Sequence, residues 1–285
     1  MSRPSFAARY GPWALVAGGS EGLGAAFAAE LARRGVSLVL AARRPGQLDQ
    51  AVTALRDAHG AEILAVPGDL AEPGAVDRVA DAIGEREIGL VIANAALAPA
   101  GPFRAVPEAE AAAAVDLNCR AAVLLARRFL PPMADRGHGG LVLVSSLAGL
   151  QGVANLAVYS ASKAFLISLA ESLWAESRAA GVDVLAACPG AVSTPGYQQA
   201  ARRPAPGTTA PELVARVTLD ALGSGFRVVP GRMNRISAVT LSRLMPRRAA
   251  IAIFNRATAA SLRADAPPAS EAPAGQALPA HLPGE

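Results

Sequence analysis

The chain has 285 residues, of which 52% are apolar and 18% charged, enough for one sizeable buried core; its two cysteines and three histidines lack the spacing of a disulfide framework or a zinc site. No run of about 18 uninterrupted apolar residues occurs, and the N-terminus has no unbroken apolar stretch ahead of a cleavage site, so a soluble cytoplasmic protein is expected. The net charge of +4 is unevenly spread: residues 200–263 carry eleven arginines against Glu212 and Asp220, which leaves the remainder of the chain net acidic.

Short apolar runs recur at 13–17, 36–42, 61–68, 89–94, 140–146 and 182–188, with amphipathic helical stretches near 23–34, 46–58, 73–85, 107–134 and 156–180 between them. Strands without polar alternation are buried on both faces, which requires a parallel sheet covered by helices. The pattern predicts an α/β, Rossmann-like doubly wound parallel sheet of about seven strands, the last at 226–230 after a helix near 211–223. Residues 189–210, rich in Pro, Gly, Ala and Thr, read as a loop over the mouth of the sheet. An Arg-studded amphipathic extension follows at 233–263, broken by Pro246. Residues 264–285 should be a disordered tail, because they cannot bury enough apolar area to offset chain entropy. The expected organisation is therefore 1–232, 233–263 and 264–285.

Directly after the first strand stands AGGSEGLG, which sets Gly18, Gly22 and Gly24, with Ser20 and Leu23 among them, between strand and helix. Glycines there allow a tight turn and close backbone approach to a pyrophosphate, and the helix N-terminus favours the anion. The second strand ends with Ala42 where an acid would bind a ribose 2′-hydroxyl, followed by Arg43 and Arg44, so the expected cofactor is NADP(H). Glu21, just before the second glycine, works against that choice.

The sequence YSASK contains the only lysine of the chain, Lys163, four residues after Tyr159. On a helix the two share a face. Free tyrosine has a pKa of about 10, and a neighbouring ammonium favours the phenolate, which suits proton exchange with a carbonyl or alcohol oxygen. As isolated residues these would be read as structural.

Together, Gly-x-x-x-Gly-x-Gly and Tyr-x-x-x-Lys resemble the short-chain dehydrogenase/reductase family, in its single-domain subtype, over about 11–232. The resemblance implies a catalytic set of Asn118, Ser146, Tyr159 and Lys163, with Ser146 thirteen residues before Tyr159 holding the substrate oxygen and Asn118 positioning a water that links Lys163 to solvent. Strand alternation prefers Ser146 over Ser145. Asp69 and Leu70 match the pair that contacts adenine. Asn94 is kept in ANAA, where the family usually has Asn-Asn-Ala-Gly. Pro189, Gly190, Val192 and Thr194 match the segment that meets the nicotinamide, and Tyr159 and Lys163 also touch the cofactor. Cys119 and Cys188 are expected to pack as small apolar residues.

These implications describe an NADP(H)-dependent oxidoreductase that interconverts a ketone or aldehyde with an alcohol, with no metal. Leu147, Leu150, Val153, Leu156, Tyr197, Met233 and Met245 would line an apolar pocket, suited to a steroid-like or long-chain acyl carbonyl. A 3-oxoacyl group on a carrier is the alternative substrate class, and a catalytically idle NADP sensor the alternative function. The expected partners are a small-molecule substrate and further copies of the chain in a homo-oligomer, and no nucleic acid. The basic segment 233–263 leaves weak contact with a membrane or an acyl carrier open.

Overall fold

The computed structural model describes residues 5–201, 203–240 and 244–261; the tail expected at 264–285 lies outside them. In chain order the elements are α1 (Phe6–Tyr10), β1 (Trp13–Ala17), α2 (Gly22–Arg33), β2 (Ser37–Ala42), α3 (Pro45–His59), β3 (Ile63–Pro67), α4 (Ala75–Ile83) and β4 (Ile88–Ala93). There follow α5 (Glu108–Val115), a π-helical turn (Asp116–Arg120), α6 (Ala121–Arg136), β5 (Gly139–Val144), α7 (Ala157–Ser177) and β6 (Val182–Ala187). The chain then forms α8 (Pro195–Ala200), α9 (Pro211–Asp220), β7 (Arg227–Val228), α10 (Arg232–Val239) and α11 (Arg247–Ser261).

The seven strands form one parallel sheet in the order β3-β2-β1-β4-β5-β6-β7. Successive residues of a strand point to opposite faces, and here both faces are dry. Leu15, Val39, Val91, Leu141 and Val184 pack with α4, α6 and α7. Val16, Leu40, Ile92 and Val142 pack with α2, α3 and α9 on the other side. This double burial is why the strands read as continuous apolar runs. Each fully buried Leu or Ile contributes about 1.5–3 kcal/mol of transfer free energy.

Chain order reverses between β1 and β4, so the loops after these strands splay apart and leave a crevice at their C-terminal ends, the position at which open α/β sheets bind ligands. Among the described residues no helix is long and apolar enough to cross a membrane.

Three details depart from the sequence expectations. Residues 189–210 are not all loop, because Thr194 caps α8 with its hydroxyl and Pro195 begins the helix. Those residues are a helix-start pair, and the composition of the surrounding segment masked it. The helix expected at 107–134 is interrupted by the π turn and runs on to Arg136. Finally, α1 has no counterpart among the expected elements. It is tied to β6 by the Tyr10 hydroxyl, which donates to Asp183 Oδ2 at 2.6 Å, and by the Arg9–Asp183 ion pair at 2.7 Å. Asp183, a carboxylate within an apolar strand, was the available signal.

Candidate active site

The glycine turn lies where β1 meets α2. Gly18 has φ +79°, and a Cβ there would fall 2.8 Å from the Ala95 backbone; a Cβ on Gly24 would fall 1.8 Å from the Gly18 carbonyl oxygen. Only glycine lets the turn fold this tightly under the end of β4. Asn94 Nδ2 donates to the Gly18 oxygen at 3.0 Å and fixes the turn from the other strand. No side chain caps the N-terminus of α2, so its first amides are available to an anion. Ser20 and Leu23 are half-buried in this turn. A Cβ on Gly22 would lie 3.1 Å from Thr194 Cγ2, so the segment after β6 closes on the same turn.

At the tip of β2 the two arginines are engaged differently. Arg44 pairs with Glu21, whereas Arg43 stands 3.7 Å from Asp69 and remains 44% exposed. The carboxylate that weakened the NADP expectation is thus matched by a guanidinium. Asp69 also accepts from the Ala71 amide at 2.9 Å, and Leu70 is buried against the core rather than presented to solvent. The tip of β2 thus carries no acid of its own, and each of its two arginines faces a carboxylate from a neighbouring turn, Asp69 or Glu21.

The candidate catalytic residues converge from three elements. Ser146 follows β5 and caps a short 3-10 turn, its hydroxyl accepting from the Ala148 amide at 3.1 Å. Ser145 is turned away and buried, its hydroxyl donating to the Lys163 carbonyl at 2.7 Å, as strand alternation predicts. Tyr159 and Lys163 share a face of α7, with Nζ 5.5 Å from the centre of the phenol ring. Burial pushes the Tyr159 phenol above its ordinary value, and the Ser146 side chain pulls it partly back.

Lys163 is 2% exposed and donates to the Val144 carbonyl at 2.8 Å. Burial lowers its pKa to about 8, opposed by the neighbouring Cys119 and Cys188. The ammonium was expected to lower the phenol; here it is directed at the end of β5, and desolvation of the phenol dominates instead. Both cysteines are free, Cys188 fully buried and Cys119 half-buried.

Asn118 sits in the π turn and is 2% exposed. Its Nδ2 donates to the Leu97 carbonyl at 2.8 Å and to Ser162 Oγ at 2.9 Å, while its Oδ1 accepts from the Leu97 amide at 2.8 Å. Ser162 in turn donates to the Tyr159 carbonyl at 2.8 Å. The Asn118 side chain thus braces the loop after β4 against the Tyr159 turn. The π turn swings Asn118 into this position, a common use of such distortions.

On the other side, the Pro189 carbonyl accepts from the Leu147 amide at 2.8 Å, tying the segment after β6 to the one after β5. Val192 is bridged to Thr209, and the Thr194 hydroxyl accepts from the Tyr197 amide at 3.3 Å. Among the expected pocket residues, Leu147 and Val153 are buried while Met233 is 55% exposed.

One residue here escaped the sequence reading. Asn234, 4% exposed, donates to the carbonyls of Gly207 at 3.0 Å and Pro230 at 3.2 Å. Cβ atoms on Gly190 and Gly207 would come within 2.6 and 2.5 Å of its Oδ1. It therefore links the Pro189–Thr194 segment, the chain after α8 and the start of α10. Its only trace in the sequence was an uncharged amide in an Arg-rich stretch.

Residues 12–204 match the family described as short chain dehydrogenase. The chain is 29% identical over 234 residues to a 7beta-hydroxysteroid dehydrogenase of Clostridium sardiniense, covering 81% of this chain and 90% of that one. It is 34% identical over 242 residues to a ketoacyl reductase of Nostoc sp., covering 82% and 83%. Among solved structures, a short-chain dehydrogenase from Sphingobium yanoikuyae in complex with NADPH superimposes with a TM-score of 0.73 at 29% identity, covering 82% and 94%.

Proposed function

This chain belongs to the short-chain dehydrogenase/reductase family and is an oxidoreductase of that family, and we propose that it uses NADP(H) to interconvert an apolar ketone or aldehyde with its alcohol. The observation that carries this reading is the convergence of Ser146, Tyr159 and buried Lys163 at the C-terminal end of β5, beside the glycine turn.

The nicotinamide, when bound, supplies or accepts the hydride. Gly18, Ser20, Gly22, Leu23 and Gly24 would hold its diphosphate, Arg43 and Arg44 the 2′-phosphate, Asp69 and Leu70 the adenine, and Asn94, Pro189, Gly190, Val192 and Thr194 the nicotinamide half. Ser146 would orient the carbonyl oxygen. Tyr159 Oη would hold the proton that this oxygen takes up on reduction; burial, which raises its pKa, makes the phenol a weaker acid, and the Ser146 side chain partly offsets this. The charge on Lys163, close beneath the ring, stabilises the phenolate left behind. Asn118 keeps the Tyr159 turn in register. The protein's share of the catalysis is orientation and electrostatics.

Leu147, next to Ser146 in the chain, and Val153, whose amide donates to Ser160 Oγ on α7, favour an apolar substrate, steroid-like or long-chain acyl, in keeping with the hydroxysteroid and ketoacyl chemistry named for the two relatives. We assign the enzyme to the cytoplasm, since its two free thiols suit a reducing compartment. We further expect a homo-oligomer, because α5 through α7 expose Val115, Val123, Leu124 and Phe165.

A panel of steroid, long-chain 3-oxoacyl and small carbonyls, followed by NADPH or NADH consumption, tests the reading. Turnover of an apolar carbonyl with NADPH preferred is expected. Tight NADPH binding with no turnover on any carbonyl would leave a sensor, and preference for NADH would overturn the role of Arg43.

A further inference from the structure

From Ala221 to Ala264 the sequence has eight arginines and no Asp or Glu. Within this stretch α10 turns Asn234 and Ala238 inward and leaves Met233 (55%), Ile236 (68%) and Val239 (46%) exposed beside Arg232 and Arg235. Leu244, just beyond, is 74% exposed and is followed by exposed Arg247 and Arg248. Large apolar side chains this far out of the protein, interleaved with charge of one sign, are the composition of a helix that lies in a lipid interface.

The location adds a second argument. Arg247 Nη1 donates to the Leu150 carbonyl at 2.9 Å, and the Ala154 amide donates to Asn255 Oδ1 at 2.9 Å. Helix α11 therefore lies against residues 147–156, the segment that begins beside Ser146.

We propose that α10 and residues 244–248 dock on an anionic lipid surface, with Ile236, Met233 and Leu244 entering the headgroup region and Arg232, Arg235 and Arg248 meeting lipid phosphates. Charge complementarity selects this occupant. A second copy of the chain would bring arginine against arginine. An acidic protein would satisfy the guanidinium groups but offer no apolar depth for Ile236 and Leu244. The inference goes beyond the carbonyl reading and does not depend on it, because its readout is binding rather than turnover.

The test is co-sedimentation of the full chain with phosphatidylcholine vesicles, with and without phosphatidylglycerol. Binding to the anionic vesicles alone is expected, weakening as salt shortens the range of the attraction. Arg232→Glu with Arg235→Glu should lower the partition by about tenfold or more, given the worth of each arginine near such a surface. Ile236→Asp should lower it comparably, whereas Arg78→Glu, a charge reversal at an exposed position of α4, should leave it unchanged. Circular dichroism establishes that each variant is folded, so that a loss is read as loss of binding.

Absence of binding to anionic vesicles at low salt would overturn the proposal. So would binding indifferent to both the Ile236 and the arginine substitutions. A change in oligomeric mass on Ile236→Asp without lipid would identify the face as a contact between copies instead. Salt-sensitive binding to an acidic acyl carrier but not to vesicles would assign it to that partner.

Discussion

On the β5–α7 side of the site, Asn118, Ser145, Ser162 and Lys163 are each at most 3% exposed and direct their polar atoms to one another or to backbone. On the rim formed by residues 189–209 and α10, Asn234 alone among the four residues 233–236 is buried, while Met233 and Ile236 stand in solvent. The first side fixes a phenol and an ammonium by many short bonds, so a small displacement there should be costly. The second is held mainly by backbone bonds such as Thr209 to Ala191, with Asn234 the one buried polar side chain among residues 233–236, which leaves the surrounding side chains free to suit a ligand. Substitutions on the two sides should therefore fail in different ways.

The largest effect is expected from Lys163→Arg. Charge is retained, but the planar guanidinium cannot occupy the space of an ammonium that reaches the Val144 carbonyl at 2.8 Å beneath the Tyr159 ring. Turnover should fall by about 100-fold or more, as expected when a proton-transfer group is misplaced, with the fold intact by circular dichroism. Near-normal turnover would mean that this side tolerates displacement, and the contrast with the rim would be lost.

The same contrast appears in what the sequence revealed. The sheet, its parallel sense and the order of motifs were legible because each depends on residues close together in the chain: apolar runs, a glycine turn, and Tyr159 with Lys163 at helical spacing. Ser146 was found by its separation from Tyr159 and by strand alternation. The partners were not legible. Nothing local says that Asn118 braces Leu97, 21 residues away, or that Ser162 relays this brace to the Tyr159 turn. Asn234 was invisible for the same reason, since its contacts with Gly207 and Gly190 lie 27 and 44 positions away. Arg44 was expected to bind phosphate from its position alone, and its pairing with Glu21 required the β1–α2 turn to be folded.

Asn234→Asp sharpens the rim side. The variant has the same shape, but it replaces two donated hydrogen bonds with a carboxylate facing the Gly207 and Pro230 carbonyl oxygens. Destabilisation of about 2–3 kcal/mol is expected at neutral pH, because two carbonyls lose their donor and a charge is buried without one. Burial and these oxygens raise the folded-state pKa of the new carboxyl above its unfolded value. Its penalty is therefore present at neutral pH and shrinks as pH falls through the folded-state value, which urea unfolding at pH 7 and pH 5 would detect. If Asp and Asn were equally stable at both pH values, the amide would be filling space rather than holding the rim.

The smallest effect tests the other side by relieving it. Lys163 has its pKa lowered from 10.5 to about 8 by burial, so the folded protein binds its proton less tightly than the unfolded chain does. Below pH 8 both states are protonated and the full burial penalty is present; between about 8 and 10.5 the unfolded chain holds more protons, and stability from this group rises with pH. A shift of this size corresponds to at most about 3 kcal/mol. Lys163→Met removes the penalty but also the bond to the Val144 carbonyl, worth about 1 kcal/mol. The inactive variant should then be more stable than the parent by about 1–2 kcal/mol at pH 7, with the gap closing toward pH 10.5. Cys188, raised to about 11, and Tyr159, also raised, are common to both chains, so their titration largely cancels in the comparison. Thermal midpoints at pH 7 and pH 10 decide the matter. A Met variant less stable than the parent at pH 7 would mean that the buried ammonium strengthens this side of the site as well as serving its chemistry.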